Sequence, residues 1–596
     1  MRQMDMGVIG NCAVASLINA EARHVWFCFP RLDGDPLFNA LVNGPDPESG
    51  FMDVVLRDQK TAHQTYLRNT AILETVLTGE GGSIRVLDWA PRYKLQGELF
   101  RPPIIMRRIE PVDGRCHVKV RARPTFDYGA TKPVVSVGSN YLRYTAGTST
   151  IRITTDMPLA YLRDEAFFLL DRPVHLFIGS DEPLPARVDR IARDYLEETT
   201  GYWNDWVRDL AVPFDWQEPV IRAAITLKLC SFEDTGAIIA ALTTSIPEAA
   251  GSGRNWDYRY CWPRDAYFTV MSLNRLGATT TMENFITYLI NSVISSNVQF
   301  LAPLYPIVPG APLEEYEAAA LKGFRGMGPV RVGNGASNQR QNDIYGSVIL
   351  AAAQMFWDMR LPRPGDRALY HQLKPIGMMA KATSLEADAG IWEYRHRTRA
   401  HTFSAVMCWA ALDRLGRIAH RVEEIEDGNE WHKAAAELKQ RILQGAWNEA
   451  GEYFSGSLGG SELDAALLLM PELGIIGYDD PRFQKTLAAI EKHLLVDGLM
   501  MRYAEEDDFG KPETAFLVCT FWYIETLANC GRHDEAMALF ARALALRNHV
   551  GILSEDAVPG TGELWGNFPQ TYSMVGIIHC ARKLSRTWEE GLWRVS

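Results

Sequence analysis

The chain has 596 residues, 47% of them hydrophobic, which is too long for one ordinary core and implies at least two domains. Its 61 Lys and Arg against 73 Asp and Glu leave a net charge of −12 without a basic tract, which disfavours a nucleic-acid partner, because phosphate-backbone binding needs clustered cations. No apolar run is long enough to span a bilayer, and the opening residues lack the apolar core of a secretory signal, so no membrane partner is expected and the cytoplasm is the expected location.

Up to about Pro183 the pattern is that of β structure. Val118, Val120 and Ala122 alternate with His117, Lys119, Arg121 and Arg123, and Ile151 to Thr154 repeats the period of two. Gly82–Leu87 and Val174–Gly179 read as further short strands, and an antiparallel β-sandwich accounts for them most economically. From Ala186 to Trp203 the pattern turns helical and charged, as suits a connecting helix. Beyond it the period stays near 3.6, and twelve helices are predicted to start near Val220, Asp265, Met282, Asn342, Asp366, Thr402, Asn429, Ser461, Pro481, Pro512, Asp534 and Pro569. Six inner and six outer helices make an (α/α)6 barrel with functional residues on the loops at one end. The expected organisation is therefore an N-terminal β-sandwich domain over residues 1–183, a helical linker over 184–215, and an (α/α)6-barrel catalytic domain over 216–596.

The nine cysteines are scattered, mostly within apolar runs and without a Cys-x-x-Cys pair, and read as buried thiols. The thirteen histidines form no zinc-binding array, and neither a nucleotide-binding Gly-rich loop nor a Ser nucleophile elbow is present, so no metal and no cofactor are expected. A homo-oligomer is compatible with the sequence.

Three segments at helix ends could carry chemistry. Arg254 to Asp265 mixes aromatics with charges just before a helix; aromatic faces suit pyranose rings, and Arg with Asp can bind hydroxyls, while the plainer alternative is a polar cap with Asp265 as N-cap. In Asp388 to Arg395, Glu393 is flanked by Ile391, Trp392 and Tyr394, whose desolvation would suit a general acid; the alternative is a Glu393–Arg395 ion pair. Glu555 and Asp556 precede a loop that ends at Pro569, predicted in the first turn of a helix; alone they would read as a solvated acidic turn. A second isolated loop carboxylate changes the balance, because glycosidic hydrolysis needs two.

At these residues the sequence resembles family fifteen of the glycoside hydrolases, the glucoamylases with their bacterial glucoamylase-like and trehalase-like relatives. The resemblance runs through Ile9–Cys12, Trp26–Asp33, Thr235–Ile238, Thr243–Glu248, Asn255–Asp265 and Gly566–Gln570, nearly the whole chain and in the family's order. It implies that Glu393, after Gly-Ile-Trp, is the general acid and that Glu555, after Leu-Ser, is the general base. It further implies that Tyr258, Trp262, Arg264 and Asp265 hold the terminal glucose, that Trp392 lies beside the scissile bond, and that Arg502 lies near the leaving group. Pro263 and the run Asp556–Pro559 depart from the family's usual residues.

The function expected on these grounds is exo-acting, inverting hydrolysis of an α-glucoside substrate, glucoamylase-like, with trehalase or an isomaltose-type enzyme as the alternative within the same chemistry. From other classes, an (α/α)6-barrel epimerase or lyase would use His or Tyr rather than two carboxylates, and a non-catalytic sugar-binding protein would need no such pair.

Overall fold

The computed structural model describes residues 4–294 and 300–593. Residues alternate between faces in strands such as His117–Arg123, where Val118 and Val120 are buried, and Tyr141–Ala146, where Leu142 and Tyr144 are. Such strands form two antiparallel sheets, one of seven strands and one of eight. Val8, Leu17, Val54 and Val120 of the first sheet share a core with Leu77, Val86, Ile109 and Ile178 of the second, which makes a sandwich. Strand Met6–Gly10 is buried along its whole length, because helix Gln217–Leu229 covers its other side.

The helical half closes on itself. Inner helices Pro263–Arg275, Asp343–Ala353, Thr402–Arg421, Leu517–Asn529 and Thr571–Leu584, with a shorter helical stretch over residues 465–473, pack side by side in a ring. Helices Gln217–Leu229, Thr279–Leu289, Arg367–Thr383, Ile425–Gly445, Pro481–Leu494 and His533–Ala545 lie outside it. Composition sorts the two rings: Asp343–Ala353 is buried on nearly all sides, whereas Ile425–Gly445 buries only the stripe Trp431, Ala434, Ala435, Leu438 and Ile442. Gly346 lets the inner helices touch, since a Cβ there would stand 2.4 Å from the Met407 carbonyl oxygen.

Several boundaries differ from the sequence expectation, each for a local reason. The helix expected near Ser461 is a 3-10 turn, Ala465–Leu469, followed by the single turn Met470–Leu473, which Pro471 starts afresh. The helix expected at Pro512 begins at Leu517, because Ala515 and Phe516 first pair as a strand with Asp556 and Ala557. Pro569 precedes its helix, which starts at Thr571. Eight cysteines are buried free thiols, while Cys530 is only half-buried. No helix among the described residues is long and apolar enough to cross a membrane.

At the pole of the barrel where the inner helices end, Glu525 and His579 face each other at 3.5 Å in a cavity shared with Glu472 and Arg275. Burial, with the negative charge of Glu472, pushes Glu525 up to about 8. Burial and Arg275 push His579 well below the usual histidine range. A folded-state pKa above the unfolded one means that the native state holds the extra proton, so the contribution of Glu525 is full below about pH 4.5 and is lost as pH rises through about 8. Glu525→Gln removes that loss. The variant should melt about one to two degrees above the wild type at pH 8.5 and close to it at pH 5, as thermal scans at both pH values would show.

Candidate active site

The inner helices start around a cavity lined by Tyr258, Trp262, Arg264, Asp265, Trp392, Glu393, Arg502 and Glu555. The segment from Arg254 to Trp262 reaches it as an extended strand, held by hydrogen bonds from the amides of Ala240 and Ala241 to the carbonyls of Tyr260 and Tyr258. Alternation then divides its side chains. Arg254, Trp256 and Tyr258 line the cavity, while Asp257 and Arg259 turn away from it. Arg259, fully buried, donates to Asp257 at 2.9 and 2.7 Å, to the Gly34 carbonyl at 2.9 Å and to the Tyr128 hydroxyl at 3.1 Å. Gly34 and Tyr128 belong to the β half, so this pair ties the cavity strand to the sandwich.

Trp262, Arg264 and Asp265 sit where that strand enters helix Pro263–Arg275. Trp262 is the N-cap residue and Asp265 stands in the first turn, so the cap assignment for Asp265 does not hold. Arg264 forms an ion pair with Asp265 at 3.7 Å, too long for a hydrogen bond. Arg264 instead donates to Gln341 at 2.9 Å and to Asp343 at 3.1 Å, residues at the head of the neighbouring inner helix that the sequence reading passed over. Burial pushes Asp265 up to about 7 against the pull of Arg264. A carboxyl in that state can both give and take hydrogen bonds, which suits sugar hydroxyls.

Glu393 lies in a tight turn in which its amide bonds to the Gly390 carbonyl at 3.1 Å and its own φ is +60°. This left-handed conformation costs about 1 kcal/mol or more in a non-glycine residue. Glu393 Oε1 meets three N–H donors: Trp262 Nε1 at 2.7 Å, Gln341 Nε2 at 3.2 Å and Arg264 at 3.3 Å. The alternative partner, Arg395, is bound to Glu315 at 3.0 and 2.8 Å and stacks over the Trp256 ring at 4.2 Å. Trp392 donates to Asp464 at 2.8 Å and packs among Phe516, Trp522 and Tyr503.

Glu555 lines the same cavity, in the chain just before the strand pairing of Asp556 with Phe516 and Trp565. Its Oε1 accepts the Tyr258 hydroxyl at 2.7 Å and its Oε2 the Asn567 amide at 3.4 Å. Gly566, at φ +77°, gives it room, since a Cβ there would stand 2.6 Å from Glu555 Oε2. Burial first, and then the negative charge of Glu248, push Glu555 up to about 8, against Tyr258 and Arg502. Glu248 was not visible as a site residue in the sequence; it binds Arg502 at 2.5 Å and Trp256 Nε1 at 3.0 Å. Arg502 is thus a buried wall residue locked to a carboxylate. Among the described residues, no group of three or more His, Cys, Asp and Glu side chains is arranged to hold a metal ion.

The two carboxylates are linked through rings rather than directly. Glu393 is held by the indole of Trp262 and Glu555 by the hydroxyl of Tyr258, and those rings meet edge to face with centroids 5.4 Å apart. All eight residues named from the sequence line this one cavity.

Comparison with known proteins agrees with the two-part architecture. Residues 217–582 match glycosyl hydrolases family 15, and residues 3–155 match a family described as trehalase-like, N-terminal. The trehalase of Thermoplasma volcanium is 31% identical over 97% of this chain and 93% of its own length. That of Mycolicibacterium smegmatis is 30% identical over 98% and 92%, and Trehalase 1 of Sulfolobus acidocaldarius 27% over 95% and 96%. The crystal structure of a bacterial glucoamylase complexed with acarbose, 14% identical, covers 98% of this chain and 94% of its own with a TM-score of 0.69, a likeness of fold. With more than half of its length matched to the family and relatives alike from end to end, the chain belongs to family 15 of the glycosyl hydrolases.

Proposed function

We propose that the protein hydrolyses α,α-trehalose by inversion, with Glu393 as general acid and Glu555 as general base. The observation that carries the reading is the pairing of a two-carboxylate pocket with full-length similarity to curated trehalases at 26–31% identity. Trehalase, the alternative at the sequence level, therefore ranks above the glucoamylase-like reading, whose support here is fold likeness alone.

The terminal glucose binds against Arg264, Asp265, Tyr258 and Trp262. Three N–H donors occupy Oε1 of Glu393, which leaves Oε2 to carry the proton to the glycosidic oxygen. Glu393 is also the more accessible carboxylate, its side chain 21% exposed, and so faces the way out for a leaving group. Glu555, 1% exposed, sits in a niche suited to a single water, from which it takes a proton. Inversion needs about 6.5–9.5 Å between the carboxyl groups, so that water fits between base and sugar. A pair joined through two rings, rather than a pair in contact, supports that arrangement. Trp392 and Arg502 wall the space beside the scissile bond.

Incubated with trehalose, maltose, isomaltose, starch and dextran, the purified protein should release glucose fastest from trehalose. Release from maltose and starch with none from trehalose would return the assignment to a glucoamylase, and an isomer without hydrolysis would point to an epimerase.

A further inference from the structure

The pocket runs from buried Asp265 to a rim at Asp508, and one short segment, residues 505–510, contributes Asp507, Asp508 and Phe509 to its lining. That segment folds back on itself through paired backbone bonds between Asp507 and Gly510, and it is pinned on two sides. On one, Asp507 takes both guanidinium nitrogens of Arg254, at 2.5 and 2.6 Å, and a hydrogen bond from Tyr503. On the other, Asp508 accepts the backbone amides of Arg395 at 2.6 Å and His396 at 3.2 Å, just past Glu393 in the chain. Between the pins Phe509 meets Trp256 edge to face, with ring centroids 5.2 Å apart. Trp256 is stacked in turn under Arg395, which Glu315 holds.

We infer that this pinned strap, with Phe509 at its centre, ends the leaving-group side of the pocket after one sugar and restricts the enzyme to disaccharides. The inference deepens the proposed function and rests on it for the identity of the substrate. An open groove would leave the third sugar of a longer chain room to lie outward past Trp256. Here two aromatic rings and two paired guanidiniums occupy that path, and five hydrogen bonds from Arg254, Tyr503, Arg395 and His396 to the Asp507 and Asp508 side chains hold the segment against displacement. A substrate whose leaving glucose bears another glucose must break these contacts in the transition state, so the cost appears in kcat/KM.

The test compares kcat/KM for two pairs: trehalose against the trisaccharide carrying one more α-linked glucose on the leaving unit, and maltose against maltotriose. In the wild-type protein the longer member of each pair should be cleaved roughly 100-fold less efficiently or worse, and Phe509→Ala should raise the long-to-short ratio about tenfold or more. Asp508→Ala, which frees one pin from an exposed position without touching the aromatic rings, should raise it in the same direction and serves if Phe509→Ala folds poorly. Equal cleavage of long and short substrates by the wild type, or an unchanged ratio in a folded variant, would overturn the strap. Loss of trehalose as a substrate with maltose retained would overturn the substrate reading alone, because the maltose pair still reports on the strap.

Discussion

Glu393→Gln should lower kcat/KM for trehalose by roughly 10²–10⁴-fold, the usual contribution of proton donation, while hydrolysis of α-glucosyl fluoride stays within a few-fold of wild type. The reason lies in the two oxygens of Glu393. Glutamine keeps a carbonyl oxygen for Trp262, Gln341 and Arg264, so the turn and the pocket survive. What goes is the proton on the other oxygen. Fluoride departs with little need of that proton, whereas a glucose alkoxide depends on it. Paired kinetics on the two substrates decide the point, since equal loss on both would remove Glu393 from the acid role.

Glu555→Gln should lower kcat/KM by roughly 10²–10⁴-fold on trehalose and glucosyl fluoride alike, because both need an activated water whatever the leaving group. The environment of Glu555 makes this the more searching experiment. Burial and Glu248 push it up to about 8, a direction more often met in an acid than in a base. Position argues the other way: Glu555 is 1% exposed and closed in by Gly566 and Tyr258, whereas the side chain of Glu393 is 21% exposed and so the more open to a departing sugar. If Glu555→Gln spared the fluoride while Glu393→Gln abolished both reactions, the two roles would have to be exchanged. The wild-type product gives a second check. Both anomeric carbons of trehalose are α, so inversion at one of them yields one β-glucose and one α-glucose, and proton NMR of fresh product should show the anomers in equal amounts before mutarotation. Two α-glucoses would mean retention, with Glu555 as a nucleophile.

Most of the architecture was legible from periodicity. Twelve helix positions, the sandwich and the order of the two halves follow from spacings of 2 and 3.6; the starts expected at Val220, Met282 and Asn429 lie three or four residues early in the structure, and that at Pro512 moved because a strand pairing overrode the pattern. The cavity residues between Arg254 and Trp262 were legible for another reason, the mix of aromatic and charged side chains just before a helix. Partners contributed by distant segments were not. Gln341 and Asp343 matter because they open an inner helix beside Arg264, and Glu248 because it reaches Arg502 across 254 positions of sequence. Nothing local marks such residues; only closure of the helix ring brings them together. The hydrogen-bond partners of Glu393 were hidden for a related reason, since Trp262, Arg264 and Gln341 lie more than fifty positions away in sequence.

Arg259 makes the two halves of the protein one catalytic object. Its guanidinium sits on the reverse of the strand that presents Tyr258 to Glu555, and three of its four hydrogen-bond partners, Cys28, Gly34 and Tyr128, come from the first 130 residues. Cut free of the sandwich, the helical half would keep every residue that lines the cavity, yet the segment carrying Tyr258 would have a buried cation behind it stripped of Gly34 and Tyr128. Evolution or engineering could therefore exchange the sandwich for another scaffold only if the replacement supplied a carbonyl and a hydroxyl in the same two places, a far narrower demand than solubility or stability alone would set.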